Sequence, residues 1–250
     1  MRWLSRWGYA AAHLLYPRRC AGCGELNGEL EYEMPLCPIC YADWQAAKRQ
    51  LCERCGKPQI FCRCGPASFS SVDRFVHVVS YEPGIAMQLL WKMKRERRPD
   101  LIRFAAEELS GVLLEELRRY QDYRGKCLLT YAPRRSKNVR EFGLDQSKLL
   151  ACEMAERLYL PFYKLICRKP RTAEQKQLTK QERMENAENA YQLVSGAEKE
   201  AAGRIVIIVD DVITTGATVS ACAELLRHAD AECVVAASLA KTRSLKKRAF

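Results

Sequence analysis

No apolar run in this 250-residue chain approaches the roughly 18 residues that a membrane-spanning helix requires. A secretion signal is not expected either. The opening segment, MRWLSRWGYAAAHLLYPRRC, holds only a short apolar patch from Ala10 to Leu15, and Arg18 and Arg19 stand where a small-residue cleavage site would lie. An amphipathic docking helix is the expected reading, in a protein that stays in the cytoplasm. There is no internal repeat beyond paired cysteines, no evident catalytic base, and few aromatics beside the basic residues. Hydrophobic residues nevertheless make up 48% of the chain, which excludes wholesale disorder.

What is present centres on residues 204 to 219, RIVIIVDDVITTGATV. The run Ile205 to Val209 is apolar and mostly β-branched, the pattern of a strand buried on both faces in a parallel sheet. The reading ends that strand at Asp210 and Asp211. A loop of small and hydroxyl residues follows, Thr214, Thr215, Gly216, Ala217 and Thr218, then a helix through Leu226, with Thr218 as the expected N-cap. Ligands of such sheets bind where strands give way to helices. Loop amides and a helix N-terminus suit a phosphate, and Gly216 permits the tight backbone required. Two adjacent carboxylates suit hydroxyls or Mg²⁺. The segment closely resembles the 5-phosphoribosyl-1-pyrophosphate (PRPP) loop of type I phosphoribosyltransferases. That resemblance implies that Asp210 and Asp211 take the ribose hydroxyls and that Thr214 to Thr218 wrap the 5-phosphate.

Eight of the thirteen cysteines fall between residues 20 and 64, as Cys20-x2-Cys23, Cys37-x2-Cys40, Cys52-x2-Cys55 and Cys62-x-Cys64. Two sulfurs on a tight turn grip one side of a tetrahedral Zn²⁺, and a second pair closes the site. Without a secretion signal the chain meets a reducing compartment, so two structural zinc ions are expected rather than disulfides. Sequential pairing (Cys20, Cys23, Cys37, Cys40; then Cys52, Cys55, Cys62, Cys64) is the default, and a cross-braced arrangement stays open. Metal binding is expected to drive the folding of this short, polar stretch. Two all-thiolate sites would leave it near neutral, which disfavours charge-driven DNA binding by the zinc module itself. Cys127, Cys152, Cys167, Cys222 and Cys233 read as small buried hydrophobes.

The remaining pattern alternates strands and helices. Strands are expected over 73–81, 127–131, 162–167 and 234–239, and helices over 85–93, 101–120 and 145–158. The result is an α/β fold with a mainly parallel sheet flanked by helices, behind a cysteine-rich double zinc ribbon. The division is 1–68 for the ribbon with its docking helix and 69–250 for the larger domain. Residues 168–190 form a polar stretch too long for a routine connection, either a lid or a flexible linker.

The net charge is +11, and its excess sits in the middle, where residues 71–190 carry 24 Lys and Arg against 17 Asp and Glu. An anionic partner is expected there. Arg134, Arg135 and Lys137 leave a strand end beside the phosphate loop and are candidates for a diphosphate. Lys92, Lys94, Arg95, Arg97, Arg98 and Arg140 are candidates for DNA phosphates.

Taken together, these features resemble the ComF competence family, phosphoribosyltransferase-like proteins with an N-terminal double zinc ribbon. The resemblance rests on the cysteine pairs, on Tyr81 with Lys94, on Arg140, Gly143 and Gln146, on Thr172, Gln175, Leu178, Arg183 and Asn186, and on the PRPP loop. One departure stands out: Phe142-Gly143-Leu144-Asp145-Gln146 replaces the family's Arg-Gly-Phe-Asn-Gln, which makes that loop more negative. The resemblance implies natural transformation, with single-stranded DNA handled at the inner face of the membrane and PRPP bound with Mg²⁺. Two alternatives are carried with it. One is an active phosphoribosyltransferase acting on a nitrogenous acceptor, and the other is an interaction module for a competence helicase or DNA-uptake channel protein.

Overall fold

Four parallel strands carry the molecule, in the order β1 (Arg74–Ser80), β6 (Cys233–Lys241), β5 (Ile205–Ile213) and β2 (Cys127–Tyr131). A computed structural model describes residues 19–26, 34–66, 69, 71–96, 98–134, 145–169 and 190–242. The expected docking helix over 1–18, most of the 168–190 stretch, and Arg97, Arg135, Lys137 and Arg140 lie outside these residues.

In chain order the elements are α1 (Pro38–Arg49), β1 (Arg74–Ser80), α2 (Ile85–Arg95), α3 (Pro99–Leu117), the short α4 (Tyr123–Lys126), β2 (Cys127–Tyr131), α5 (Gln146–Leu158), β3 (Ile166–Arg168), β4 (Tyr191–Leu193), the short α6 (Ala197–Ala201), β5 (Ile205–Ile213), α7 (Ala217–His228) and β6 (Cys233–Lys241). Of the expected 162–167 strand, Phe162 bridges Leu129 alone, and Ile166–Arg168 turns away to pair antiparallel with β4.

The period-2 alternation of β5 explains the layering. Ile205, Ile207 and Val209 join one core with Leu101, Phe104 and Leu109 of α3 and Leu150 and Met154 of α5. Val206 and Ile208 join a second core with Val219, Cys222 and Leu226 of α7 and Tyr191 of β4. Helices therefore cover both faces, as an apolar parallel strand demands.

The cysteine-rich front end shares the first core: Cys20, Ala21, Leu36, Cys40 and Trp44 pack within it. Trp44 is fully buried and lies 5.6 Å from Phe104. A single 3₁₀ turn, Gln59–Phe61, lies against β1, where the buried His77 Nε2 meets Gln59 Oε1 at 3.0 Å. An otherwise open edge strand is covered by that contact.

Two local expectations are corrected. β5 does not stop at Asp210, because β6 is equally long and keeps offering partners: Asp210 pairs with Ser238, Val212 with Ala240 and Ile213 with Lys241. Both acids therefore lie inside the strand. The N-cap of α7 is Gly216 rather than Thr218, at φ +83°, a left-handed conformation that glycine adopts without strain. The helix begins two residues earlier, at Ala217, and the Thr218 hydroxyl is left for a tertiary hydrogen bond.

Candidate ligand site and metal centres

β5 delivers Asp210 and Asp211 to the carboxyl end of the sheet, just before the Thr214–Thr218 loop. Asp211 is 3% exposed, and its surroundings are ionic. Lys94 Nζ, from the last turn of α2, lies 3.2 Å from its Oδ2, and the Arg134 guanidinium is hydrogen-bonded to the same oxygen. Arg134 also donates to Gln146 Oε1 at 2.8 Å, and Gln146 Nε2 donates to the Lys94 carbonyl at 3.2 Å. Gln146, buried at the start of α5, thus holds the Arg134 guanidinium and the backbone of Lys94.

Asp210 Oδ1 accepts from Ser147 Oγ at 2.8 Å and from the Asp211 amide at 2.9 Å. The acids have opposite electrostatics. Burial, followed by the neighbouring Asp211 charge, pushes the Asp210 carboxyl well above the usual carboxylate range. Burial acts on Asp211 too, but Arg134 and then Lys94 outweigh it and hold that carboxyl below its ordinary value. One acid is a fixed anion, and its neighbour holds a proton to higher pH. Perturbed pairs of this kind mark functional sites.

Around the loop, Thr214 and Thr215 are exposed, Gly216 is buried, and Thr215 Oγ1 accepts from the Ala217 amide at 3.4 Å. The Tyr191 hydroxyl donates to Thr218 Oγ1 at 3.3 Å, and Arg168 Nη1 donates to the Tyr191 hydroxyl at 3.0 Å while its guanidinium carbon lies 5.0 Å from the Tyr191 ring. The β3-β4 hairpin therefore brings a cation and a phenol beside the loop. Exposed hydroxyls, a glycine-capped helix start and a nearby guanidinium form an arrangement able to hold a phosphate.

The candidate basic residues divide sharply. Arg134 and Lys94 belong to the acid pair. Lys92 Nζ donates to the Cys20 carbonyl at 3.2 Å, and Arg98 binds Asp100 and the Arg19 carbonyl. Arg95 instead lies on an outward ring, its guanidinium carbon 4.6 Å from the centre of Trp91, which is 48% exposed. Asp145, the residue that departs from the family loop, caps α5 by accepting from the Lys148 amide at 3.3 Å, a role that Asp and Asn fill equally well.

The eight cysteines assemble sequentially, Cys20, Cys23, Cys37 and Cys40 in one group and Cys52, Cys55, Cys62 and Cys64 in the other. Within each group all four sulfurs lie within 4.8 Å of one another. Zn–S bonds of about 2.3 Å in a tetrahedron place sulfurs roughly 3.8 Å apart. Cys23 and Cys37 sulfurs stand 3.9 Å apart, and those of Cys55 and Cys62 3.7 Å. Both groups fit structural zinc. The Gly22 and Cys37 amides point at Cys20 Sγ from 3.3 and 3.2 Å. Burial pushes that thiol up, but amides of Cys37, Cys23 and Gly22 bring it down to about 6. Gly22 also has to be glycine, because a Cβ there would lie 2.5 Å from Cys40 Sγ.

Lys241, 8% exposed at the end of β6, donates Nζ to Cys62 Sγ at 3.3 Å and to the Cys64 carbonyl at 3.0 Å. Its neighbour Thr242 donates its amide to the Ile213 carbonyl at 3.0 Å and its hydroxyl to the Thr214 carbonyl at 3.2 Å. Sequence reasoning missed Ser147, Arg168, Tyr191 and Lys241. Only Lys241, a charge closing an otherwise apolar strand, left a readable signal.

Residues 144–249 match the phosphoribosyl transferase domain and residues 11–68 the double zinc ribbon domain. The chain is 30% identical over 215 residues to the DNA utilization protein YhgH of Escherichia coli K12, covering 83% of this chain and 90% of that protein. It is 31% identical over 218 residues to the DNA utilization protein YhgH of Salmonella typhi, with the same coverage. Among solved structures, a hypoxanthine phosphoribosyltransferase from Staphylococcus aureus aligns with 56% of this chain and 62% of its own, at 16% identity and a TM-score of 0.35.

Proposed function

This chain belongs to the ComF family, in which a double zinc ribbon precedes a phosphoribosyltransferase domain, and we propose that it binds Mg²⁺-PRPP at the end of β5 and single-stranded DNA on its basic surface during DNA uptake. One observation carries the PRPP half: an acid pair of opposed protonation stands directly before a glycine-capped phosphate loop. Asp210 and Asp211 take the ribose hydroxyls, and Thr214 to Thr218 take the 5-phosphate. The diphosphate draws Arg134 from Asp211, with Arg135 and Lys137 following it in sequence. Mg²⁺ supplies charge neutralisation at the diphosphate. The net charge of +11 and the relatives named for DNA utilization support the DNA half. A competence helicase or uptake-channel protein at the inner face of the membrane is the natural receiver of that DNA.

Calorimetry with PRPP and Mg²⁺ tests the site. Binding by the wild type that is lost in Asp210→Asn/Asp211→Asn is the expected result, and absent binding by the wild type would sink the reading. DNA binding is tested by anisotropy in rising salt, where affinity must fall steeply as counterions are released.

A second reading, active phosphoribosyl transfer, draws on Asp210, whose raised protonation range makes it a proton acceptor poised nearer neutrality. Departure of diphosphate from ribosyl C1 would be driven by position and charge. Consumption of PRPP with a panel of nitrogenous bases separates enzyme from ligand-regulated DNA binder.

A further inference from the structure

At the starting end of β1, opposite the acid pair, the second zinc ribbon and the end of α3 enclose a cleft of about 500 Å³. Lys57, Phe61 and Arg63 line it from the ribbon, and Arg74, Glu116 and Arg119 from the larger domain. We propose that this cleft binds single-stranded nucleic acid, with phosphates on its arginines and a base on Phe61. The inference rests on the DNA-binding reading above and gives it a place.

Glu116 is the organising residue. It is fully buried, and three guanidiniums converge on it through Nε: Arg63 at 3.1 Å, Arg74 at 3.6 Å and Arg119 at 3.6 Å. One carboxylate cannot neutralise three cations, and Lys57 adds a fourth. Asp73, the other acid of the cleft, is already engaged by Arg227 and by the Val234 amide. A local surplus of positive charge follows. Because the arginines spend Nε on Glu116, their Nη atoms are set toward other acceptors. Arg63 Nη1 caps the Ile60 and Cys62 carbonyls. Arg119, with 66% of its side chain exposed, keeps its Nη fork for a phosphate.

Phe61 supplies the second half of the recognition. Gln59 is anchored inward on His77, and the 3₁₀ turn then swings Phe61 outward to 61% exposure. An exposed ring beside clustered cations is a stacking platform for an unpaired base, and duplex bases cannot use it. The volume suits about one nucleotide with its flanking phosphates. By contrast, Lys92, Lys94 and Arg98 of the basic run over 92–98 are spent on internal partners, so charge counting alone misplaces the DNA surface. It also underrates the ribbon, whose cations act together with Arg74 and Arg119.

The test uses the full zinc-loaded chain and a fluorescent oligothymidylate of about 16 nucleotides, the upper range for one binding surface. Phe61→Ala is expected to weaken binding roughly 5- to 100-fold. Lys57→Ala and Arg119→Ala should each lower the log-affinity against log-salt slope by about 0.7. All three side chains are exposed, and zinc content checks that each variant is folded. A duplex of the same length should not respond to Phe61→Ala. Unchanged affinity in these variants, with loss in Trp91→Ala or Arg95→Ala, would overturn the cleft and keep the DNA reading. A wild type that ignores the oligonucleotide at low salt would overturn both.

Discussion

Replacing either member of the acid pair by asparagine removes one ionisable carboxyl from the same strand end, yet the two variants should move stability in opposite directions. Asp211 stands between two cations, with side-chain exposures of 4% for the acid, 31% for Lys94 and 16% for Arg134. Removing one partner of a fully buried ion pair costs about 3–5 kcal/mol. Solvent reaches both cations here, which reduces the expected loss for Asp211→Asn to about 1–3 kcal/mol. For a chain of this size that is a fall in Tm of roughly 3–10 °C. Asp210 is the reverse case. Its folded-state pKa is raised, so ionisation opposes folding, and the penalty grows as pH rises from the unfolded carboxylate value toward the folded one. Asp210→Asn keeps the acceptor for Ser147 Oγ and removes the penalty. A gain on the order of 1 kcal/mol at neutral pH is expected, since the residue is only half-buried.

The pH profile sharpens the contrast. The lowered pKa of Asp211 gives stability that is present above the unfolded carboxylate pKa and lost as pH falls through the folded one. Differential scanning fluorimetry of the wild type and both variants from about pH 3, below the ordinary carboxylate value, up to neutrality reads both slopes, that of Asp211 at the acid end and that of Asp210 above it. Shifts of the same sign in both variants at neutral pH would refute the electrostatic assignment.

Three further outcomes are expected. Chelation should release two zinc ions per chain, and because Trp44 and Cys20 sit in the core of the sheet, it should lower the melting of the whole chain rather than add a separate early transition. Trp44→Ala, which empties a fully buried site against Phe104, should cost about 3–5 kcal/mol in denaturant titration. Gly216→Ala, at φ +83°, should cost about 1 kcal/mol and weaken PRPP binding by calorimetry, whereas unaltered binding would mean the cap geometry is not needed.

Much of this architecture was legible in the sequence because it rests on local patterns. The apolar runs at 205–209 and 127–131 announced parallel strands, and the paired cysteines announced two metal sites, while their sequential grouping became visible only in the fold. Strand ends were less legible: β5 runs on through its acids because β6 provides a ladder, a tertiary fact that propensity does not contain. The basic residues were the least legible. Lys92, Lys94 and Arg98 look alike in sequence, and only packing shows that a carbonyl, Asp211 and Asp100 already hold them. Ser147 gave no warning either, since a helix's first turn carries many polar residues with no task.

The ammonium group of Lys241 ties the second zinc ribbon to the strand next to β5, and the following residue grips the backbone at Thr214. A chain that failed to keep that metal would strand a cation inside the protein, next to the residue that holds the Thr214 backbone. The ribbon and the loop thus pass or fail inspection together. A genetic screen that scores damage at either one will recover substitutions in both.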